Sequence, residues 1–404
     1  INNRFQTFAA PPVPGNRSNL DQTMPKDSLM TMSTAVYGNK GLEQSFKHTQ
    51  EDPLSEITPG NLRYHAGSIC KMVMLALTLR LYDQNKISLD DTIETIISKF
   101  QVHALIRQHQ TNLNPITIRQ LLNHTSGLRD GSLDPTIKTT FFIFNPIVEA
   151  ALRRGDPIEG KITFHEQPGN FYYANSNFAI LGYLLEAIYG KELDKIFDEH
   201  IKQPLGLTDS TMAEVTPDDL AHGEIVAQQG TARESLYLFG AGCLYTTPAD
   251  STKFFHAFFT DRNFISQQSL DIAKVTKFRT YEIKRKDGAA FSWKCFGGML
   301  EMFLYKDGKF YLDRNEPGVR EVYGHGGWTS AHSMFLIFDP QTNQSFCAAV
   351  SKRHIHSPEH KAEATPSRTL LHYFTLCCCI PTTNEKTEKD KLINDGSGIK
   401  YTKE

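Results

Sequence analysis

Residues 72–79 form a nearly unbroken apolar run, directly after Gly67-Ser68-Ile69-Cys70-Lys71. That length and character predict a buried helix. Upstream, residues 30–37 and 42–47 read as two strands joined across Gly38-Asn39-Lys40-Gly41, a hairpin. Downstream, Lys86-Ile87-Ser88-Leu89-Asp90-Asp91 interrupts the pattern with a turn, and residues 116–122 predict a short amphipathic helix. Residues 143–160 read as helical with a Gly155-Asp156-Pro157 stop. Residues 177–189 predict a helix that Gly190 ends, and residues 192–201 a further one stopped near Pro204. From about residue 240 the texture becomes aromatic and β-branched. Residues 291–303 are of strand type, and residues 303–312 predict a hairpin around Asp307-Gly308. Residues 334–338 and 346–350 are buried-type strands across Pro340-Gln341-Thr342-Asn343, and residues 369–376 predict a last helix.

Strand patterns at both ends with helices between them predict one fold, an antiparallel sheet built from both chain ends with a large inserted helical region. Residues 1–27, carrying Pro11-Pro12-Val13-Pro14-Gly15, read as a leader or linker. Residues 28–376 are expected to form the domain, with a sheet lobe from 28–65 and 236–376 and a helical lobe from 66–235. Residues 377–404 read as a Cys-rich and then charged tail of disordered type. The lobe junction is the expected place for a pocket.

Composition narrows the function classes. With 404 residues, 40% hydrophobic and 22% charged, the chain can bury a large core. A formal net charge of −2 gives no basic excess for nucleic acid or an anionic membrane surface. Apolar stretches such as residues 178–189 are too short to span a bilayer. Of the seven cysteines, Cys70, Cys243, Cys295 and Cys347 stand singly, without metal-ligand spacing. Cys377, Cys378 and Cys379 are adjacent, after an apolar segment. They read as free thiols or as a site for lipid anchoring.

Candidate chemistry starts at Ser68 and Lys71. Three residues apart on a helix, they share one face, a turn apart. A desolvated lysine can take the proton of a serine that attacks a carbonyl. The spacing alone is weak, since Ser397-Gly398-Ile399-Lys400 repeats it in a polar tail. Further on stand Leu121-Leu122-Asn123-His124-Thr125-Ser126-Gly127-Leu128, then Tyr173-Ala174-Asn175 in an expected loop, then His325-Gly326-Gly327-Trp328 near the last strands. Decoys fall away. Tyr37-Gly38-Asn39 precedes the serine, and Lys286-Asp287-Gly288 and Lys306-Asp307-Gly308 are hairpin turns.

In this order the motifs resemble the serine β-lactamase and penicillin-binding-protein superfamily, in its class C, D-alanyl-D-alanine carboxypeptidase and esterase branch. The resemblance spans about residues 29–375 and includes Pro204-Leu205-Gly206-Leu207 and the stretch from Gly240 to Thr247. It implies a β-lactamase/transpeptidase-like fold, α/β plus all-α. It implies Ser68 as the acylated nucleophile, with its proton passing to Lys71 or to Tyr173. Asn175 would orient Lys71 and bind a substrate carbonyl, and His325 would bond Tyr173 or a substrate carboxylate. The oxyanion hole would be the backbone N–H groups of Ser68 and Trp328, with Gly327 allowing close approach. His124-Thr125-Ser126-Gly127 is assigned to a helix stop and turn.

A histidine in the third motif replaces the fixed charge of lysine. It favours an esterase, amidase or peptidase over an efficient β-lactamase, with a pH response between about 5 and 8 through His325. The expected function is a serine hydrolase acting on a small-molecule or short-peptide substrate, without metal or cofactor. Acyl transfer, or a retired fold that binds a partner, is the alternative. Export to the periplasm or secretion is expected by resemblance, with a cytoplasmic or membrane-associated site as the alternative.

Overall fold

A computed structural model describes residues 29–48, 63–102, 106–107, 113–128, 167–212, 239–277, 281–284, 290–293, 297–306, 309–311, 315–328 and 332–353. Two strands open the fold, β1 (Leu29–Gly38) and β2 (Gly41–His48). Gly41 takes φ +89°, a conformation the tight turn between them requires of a glycine. A two-residue strand β3 (Tyr64–His65) leads into a 3₁₀ turn, Gly67–Ile69, and then helix α1 (Cys70–Asp83). Helices α2 (Ile118–Leu122) and α3 (Asn175–Tyr189) follow. Strand β4 (Tyr245–Thr246) pairs antiparallel with β3, and helix α4 (Pro248–Thr260) comes next. The chain closes with β5 (Glu301–Lys306), β6 (Lys309–Tyr311), β7 (Arg320–Trp328), β8 (His332–Asp339) and β9 (Gln344–Arg353).

Seven of these strands make one sheet in the order β6-β5-β7-β8-β9-β1-β2, all neighbours antiparallel. Strand β1 from the N-terminal part lies beside β9, with Ala35 opposite Cys347. The two chain ends therefore build a single sheet, as the strand patterns at both ends imply. Helix α4 covers it. Phe259 of α4 stacks on Phe338 of β8 at 4.4 Å, and Phe255 and Phe258 are buried with it. Thr247 caps α4 by accepting from the Asp250 N–H, and Pro248 sits in its first turn, where a missing N–H costs nothing.

Helix α1 is the centre of the helical side. Residues Cys70 to Leu79 are all buried. It has no polar face because it has no wet side, which is why its apolar run lacks a helical period. Burying each large side chain of this run stabilises the fold by about 1.5–3 kcal/mol. The one charged residue of the buried run 70–79, Lys71, is also fully buried. Charges are buried at such cost only when paired or hydrogen-bonded, so Lys71 marks the helix end that matters.

Several boundaries differ from expectation. The α-helix begins at Cys70, and Ser68 lies in the 3₁₀ turn before it. Helix α2 starts at Ile118 because the Ile116 carbonyl accepts from the Ile93 N–H and Thr117 becomes a capping-box residue with Gln120. Helix α3 starts at Asn175, so Asn175 belongs to its first turn and not to the preceding loop. The helix expected over 192–201 runs Leu193–Phe197, continues through a π-type turn at Asp198–Lys202 and includes Pro204 in its last turn. Gly206, at φ +61°, ends it. The strand-type stretch 291–303 is divided among short pieces at Ala290–Trp293, Gly297–Gly298 and the start of β5. The helices expected at 143–160 and 369–376, and Cys377, Cys378 and Cys379, lie outside the described residues.

Candidate active site

The turn bearing Ser68 is fixed from three sides. The Ala66 N–H donates to the Leu244 carbonyl at 2.8 Å, an extension of the β3–β4 pairing. Gly67 takes φ +51°. From the sheet side, Gly327 of β7 lies directly against the turn. A Cβ there would sit far inside contact with the Ala66 carbonyl oxygen and 3.2 Å from the Ile69 nitrogen. Only glycine lets the strand approach so closely. The third motif and the nucleophile turn thus meet backbone to backbone, and Trp328 follows as the last residue of β7.

Ser68 is half-buried and so is Tyr173, while Lys71 between them is fully buried. Lys71 Nζ donates to Ser68 Oγ at 2.9 Å, to Asn175 Oδ1 at 2.7 Å and to the Ala241 carbonyl at 2.9 Å. Three acceptors match the three protons of an ammonium. The Tyr173 hydroxyl donates to Ser68 Oγ at 2.8 Å. Lys71 Nζ also lies 5.1 Å from the centroid of the Tyr173 ring and 5.7 Å from that of Phe178. A cation so placed is attracted by the ring faces. The structure therefore brings Ser68, Lys71, Tyr173 and Asn175 together.

His325 is also at the junction, with its ring centroid 6.2 Å from that of Tyr173. Its state differs from expectation. Burial, and then the Lys71 ammonium, push its imidazole down to about 3, so it is neutral throughout the range 5–8. Its Nδ1–H donates to the Gly326 carbonyl at 2.6 Å, which leaves Nε2 as the unprotonated nitrogen. Glu301 Oε1 lies 3.8 Å from that nitrogen, a separation that suggests an ion pair. We set the ion pair aside: 3.8 Å exceeds a hydrogen bond, and a ring this strongly desolvated does not take the second proton near neutrality. The expected pH response through His325 is accordingly corrected.

Two further features were not read as a site from the sequence. Cys70 and Cys243, distant in the chain, lie with their sulfurs 3.9 Å apart as free thiols, and burial pushes the Cys70 thiol up. Cys243 follows Ala241, the Lys71 acceptor, by two residues. His124, assigned to a turn, does lie in one, at φ +56°, but its ring also stacks on Tyr173 at 4.3 Å. The only available signal was its place in the motif order. Among the described residues, no group of acidic, cysteine and histidine side chains could hold a metal ion, and no helix is long and apolar enough to cross a membrane.

Comparison with known proteins agrees with this geometry. A family model described as Beta-lactamase matches residues 17–365. PbpX of Bacillus subtilis, whose name places it with penicillin-binding proteins, is 23% identical over 252 residues, 60% of this chain and 57% of that protein. The chain thus spans little more than half of that relative. The D-alanyl-D-alanine-carboxypeptidase/endopeptidase AmpH of Escherichia coli is 26% identical over 314 residues, 76% of this chain and 75% of AmpH. Monacolin J acid methylbutanoyltransferase of Aspergillus terreus is 24% identical over 246 residues, 55% of this chain and 58% of the transferase. Among solved structures, the D-amino acid amidase of Ochrobactrum anthropi superposes with a TM-score of 0.57 at 18% identity, covering 82% of this chain and 91% of the amidase. That likeness carries the fold.

Proposed function

The chain belongs to the Beta-lactamase family, and from that premise we propose that it is a serine hydrolase working through an acyl-enzyme on Ser68, with a small amide, ester or D-amino-acid peptide as substrate. The observation that carries the reading is the hydrogen-bonded row Lys71 Nζ–Ser68 Oγ–Tyr173 Oη, with spacings of 2.9 and 2.8 Å. Lys71 already meets three acceptors, so the better base is Tyr173, which acts as a phenolate beside the ammonium once its own hydroxyl proton has been given up to solvent. The Ser68 proton passes to Tyr173 Oη as Oγ bonds to the substrate carbonyl carbon. The tetrahedral oxygen then lies between the N–H groups of Ser68 and Trp328. On collapse, the leaving amine or alcohol takes the proton from Tyr173, and Ser68 holds the acyl group. Water repeats the sequence, giving up its proton to Tyr173 and releasing the acid.

Asn175 holds Lys71 in register from the first turn of α3. Neutral His325, with its one ring proton given to the Gly326 carbonyl, offers neither a donor nor a positive charge to a substrate carboxylate, which favours amides and esters over penicillins. A second reading keeps the same acyl-enzyme and passes the acyl group to an acceptor other than water; the similarity to an acyltransferase favours it.

The test is covalent labelling with a fluorophosphonate, read by intact mass. We expect one adduct on the wild-type protein and none on Ser68→Ala. A folded wild-type protein that takes no label would overturn the acyl-enzyme. Turnover of D-amino-acid amides, p-nitrophenyl esters and a chromogenic cephalosporin then ranks the substrates, and efficient cephalosporin hydrolysis would overturn the stated preference.

A further inference from the structure

Tyr173 sits in a short segment between Phe171 and helix α3, with no regular structure of its own to hold it. What holds it is His124. The His124 carbonyl accepts from the Tyr172 N–H at 2.8 Å, on one side of Tyr173. On the other side, His124 Nδ1 accepts from the Ala174 N–H at 3.2 Å. The same nitrogen faces Asn177 Nδ2 at 3.2 Å. The imidazole then lies against the phenol ring itself, centroids 4.3 Å apart and planes 25° off parallel. One residue thus fixes the main chain before and after Tyr173 and the ring between.

The direction of this network is determined. The Leu128 N–H donates to Ser126 Oγ at 3.1 Å, and the Ser126 hydroxyl donates to Asn177 Oδ1 at 2.5 Å. Asn177 therefore turns its Nδ2–H group toward His124. Two N–H donors converge on Nδ1, so its lone pair is exposed to both and the ring proton is on Nε2. Burial, then the Lys71 ammonium, keep this imidazole neutral by pushing it well below its usual range. Protonation would set two donors against a third.

We propose that His124 is the positioning residue for the general base, holding the Tyr173 phenol at Ser68 through its ring face and its Nδ1 acceptor together. This rests on the acyl-enzyme reading above. No common substitute supplies both parts. Phenylalanine keeps a ring and loses the acceptor. Asparagine keeps an acceptor near the Nδ1 position and tolerates the left-handed backbone at φ +56°, but loses the ring. The rate should be sensitive to the outcome, because misplacing a reacting group by about 1 Å costs on the order of 100-fold.

The experiment measures the fluorophosphonate labelling rate and p-nitrophenyl butyrate hydrolysis in His124→Asn, Tyr173→Phe and the double variant. Active sites are counted by label incorporation, so each rate is per competent molecule. We expect His124→Asn to lower kcat by about 10- to 100-fold with KM changed by less than about twofold. In the Tyr173→Phe background the same change should lower the labelling rate by less than about twofold, since the phenol it positions is already gone. A folded His124→Asn protein with wild-type kcat overturns the proposal, and so do losses that multiply in the double variant. If His124→Asn does not fold, Asn177→Asp, which turns an acceptor toward Nδ1, is read by the same cycle with the same two outcomes. Full turnover by Tyr173→Phe alone refutes Tyr173 as the base and removes the premise. Absence of labelling in the wild type is a separate failure, that of the acyl-enzyme itself.

Discussion

Mild acid should unfold this protein, through histidines that the fold keeps neutral. Three have rings that are buried on the sheet side of the site. His65 Nε2–H donates to the Gly242 carbonyl at 2.5 Å, and burial pushes its imidazole down to about 4. His332 Nδ1 accepts the His65 main-chain N–H at 3.1 Å, and burial takes its ring to about 3. His325 is likewise at about 3. In the unfolded chain each titrates near 6.5. The unfolded state therefore binds protons first, and the histidine contribution is complete above pH ~6.5 and lost as the pH falls toward the folded values. At pH 5 each costs about 2 kcal/mol relative to pH 8, and the three together about 6 kcal/mol. That is a large share of a typical stability of about 5–15 kcal/mol. The assay is urea unfolding followed by circular dichroism at pH 8, 7, 6 and 5, at fixed ionic strength. The free energy should be nearly level from pH 8 to 7 and fall by at least about 4 kcal/mol per pH unit near pH 5, three protons from these rings, with His124, which burial also holds low, adding to them. Asp90, held low by its hydrogen bonds from Arg119, titrates below the window, and Asp250, raised by burial, acts in the opposite direction. His332→Asn, which keeps an acceptor for the His65 N–H, should reduce the slope by about one proton. An unfolding free energy at pH 5 within about 1 kcal/mol of that at pH 8 would refute the reasoning.

Other consequences are as direct. Gly327→Ala puts a methyl group into the Ala66 carbonyl, backbone against backbone, so ester hydrolysis should fall by roughly 100-fold as the Ser68 turn shifts; wild-type rates in this variant would show that the strand can yield. Asn175→Ala removes a 2.7 Å acceptor from a buried ammonium, which should cost about 1–3 kcal/mol in thermal or chemical unfolding as well as activity; an unchanged midpoint would count against a charged Lys71. Because His325 is already neutral, His325→Asn should leave the shape of the pH–rate profile between pH 6 and 8 unaltered, whatever it does to the absolute rate; a lost inflection in that range would restore it as a titrating group.

The elements that could be read from the sequence are those whose cause is local. Turn chemistry at Gly38-Asn39-Lys40-Gly41 places the first hairpin, and the unbroken apolar run places α1. Boundaries moved where a partner far along the chain decides them. The Ile116 carbonyl is taken by Ile93, and that shortens α2. The site residues were legible as types in order, because an S-x-x-K spacing, a tyrosine before a helix and a histidine before two glycines each have a chemical use. Their electrostatic state was not. Whether His325 is charged depends on how deeply it is buried and on a lysine 254 positions away in the chain, and neither is written locally. The same holds for Cys70 and Cys243, whose approach to 3.9 Å is a product of the tertiary fold.

Neutrality of the surrounding histidines also bears on the chemistry. Lys71 is a buried ammonium whose hydrogen bonds end on neutral acceptors, Ser68, Asn175 and Ala241, with no carboxylate among them. In the proposed mechanism its positive charge would favour negative charge on the phenol oxygen of Tyr173 and on Ser68 Oγ. Protonating His124 or His325 would add repulsion against that ammonium, which with burial keeps both rings neutral. Burial of the two rings and burial of the lysine are thus one arrangement. The apolar packing that makes α1 the centre of the fold also encloses the Lys71 cation beside Ser68.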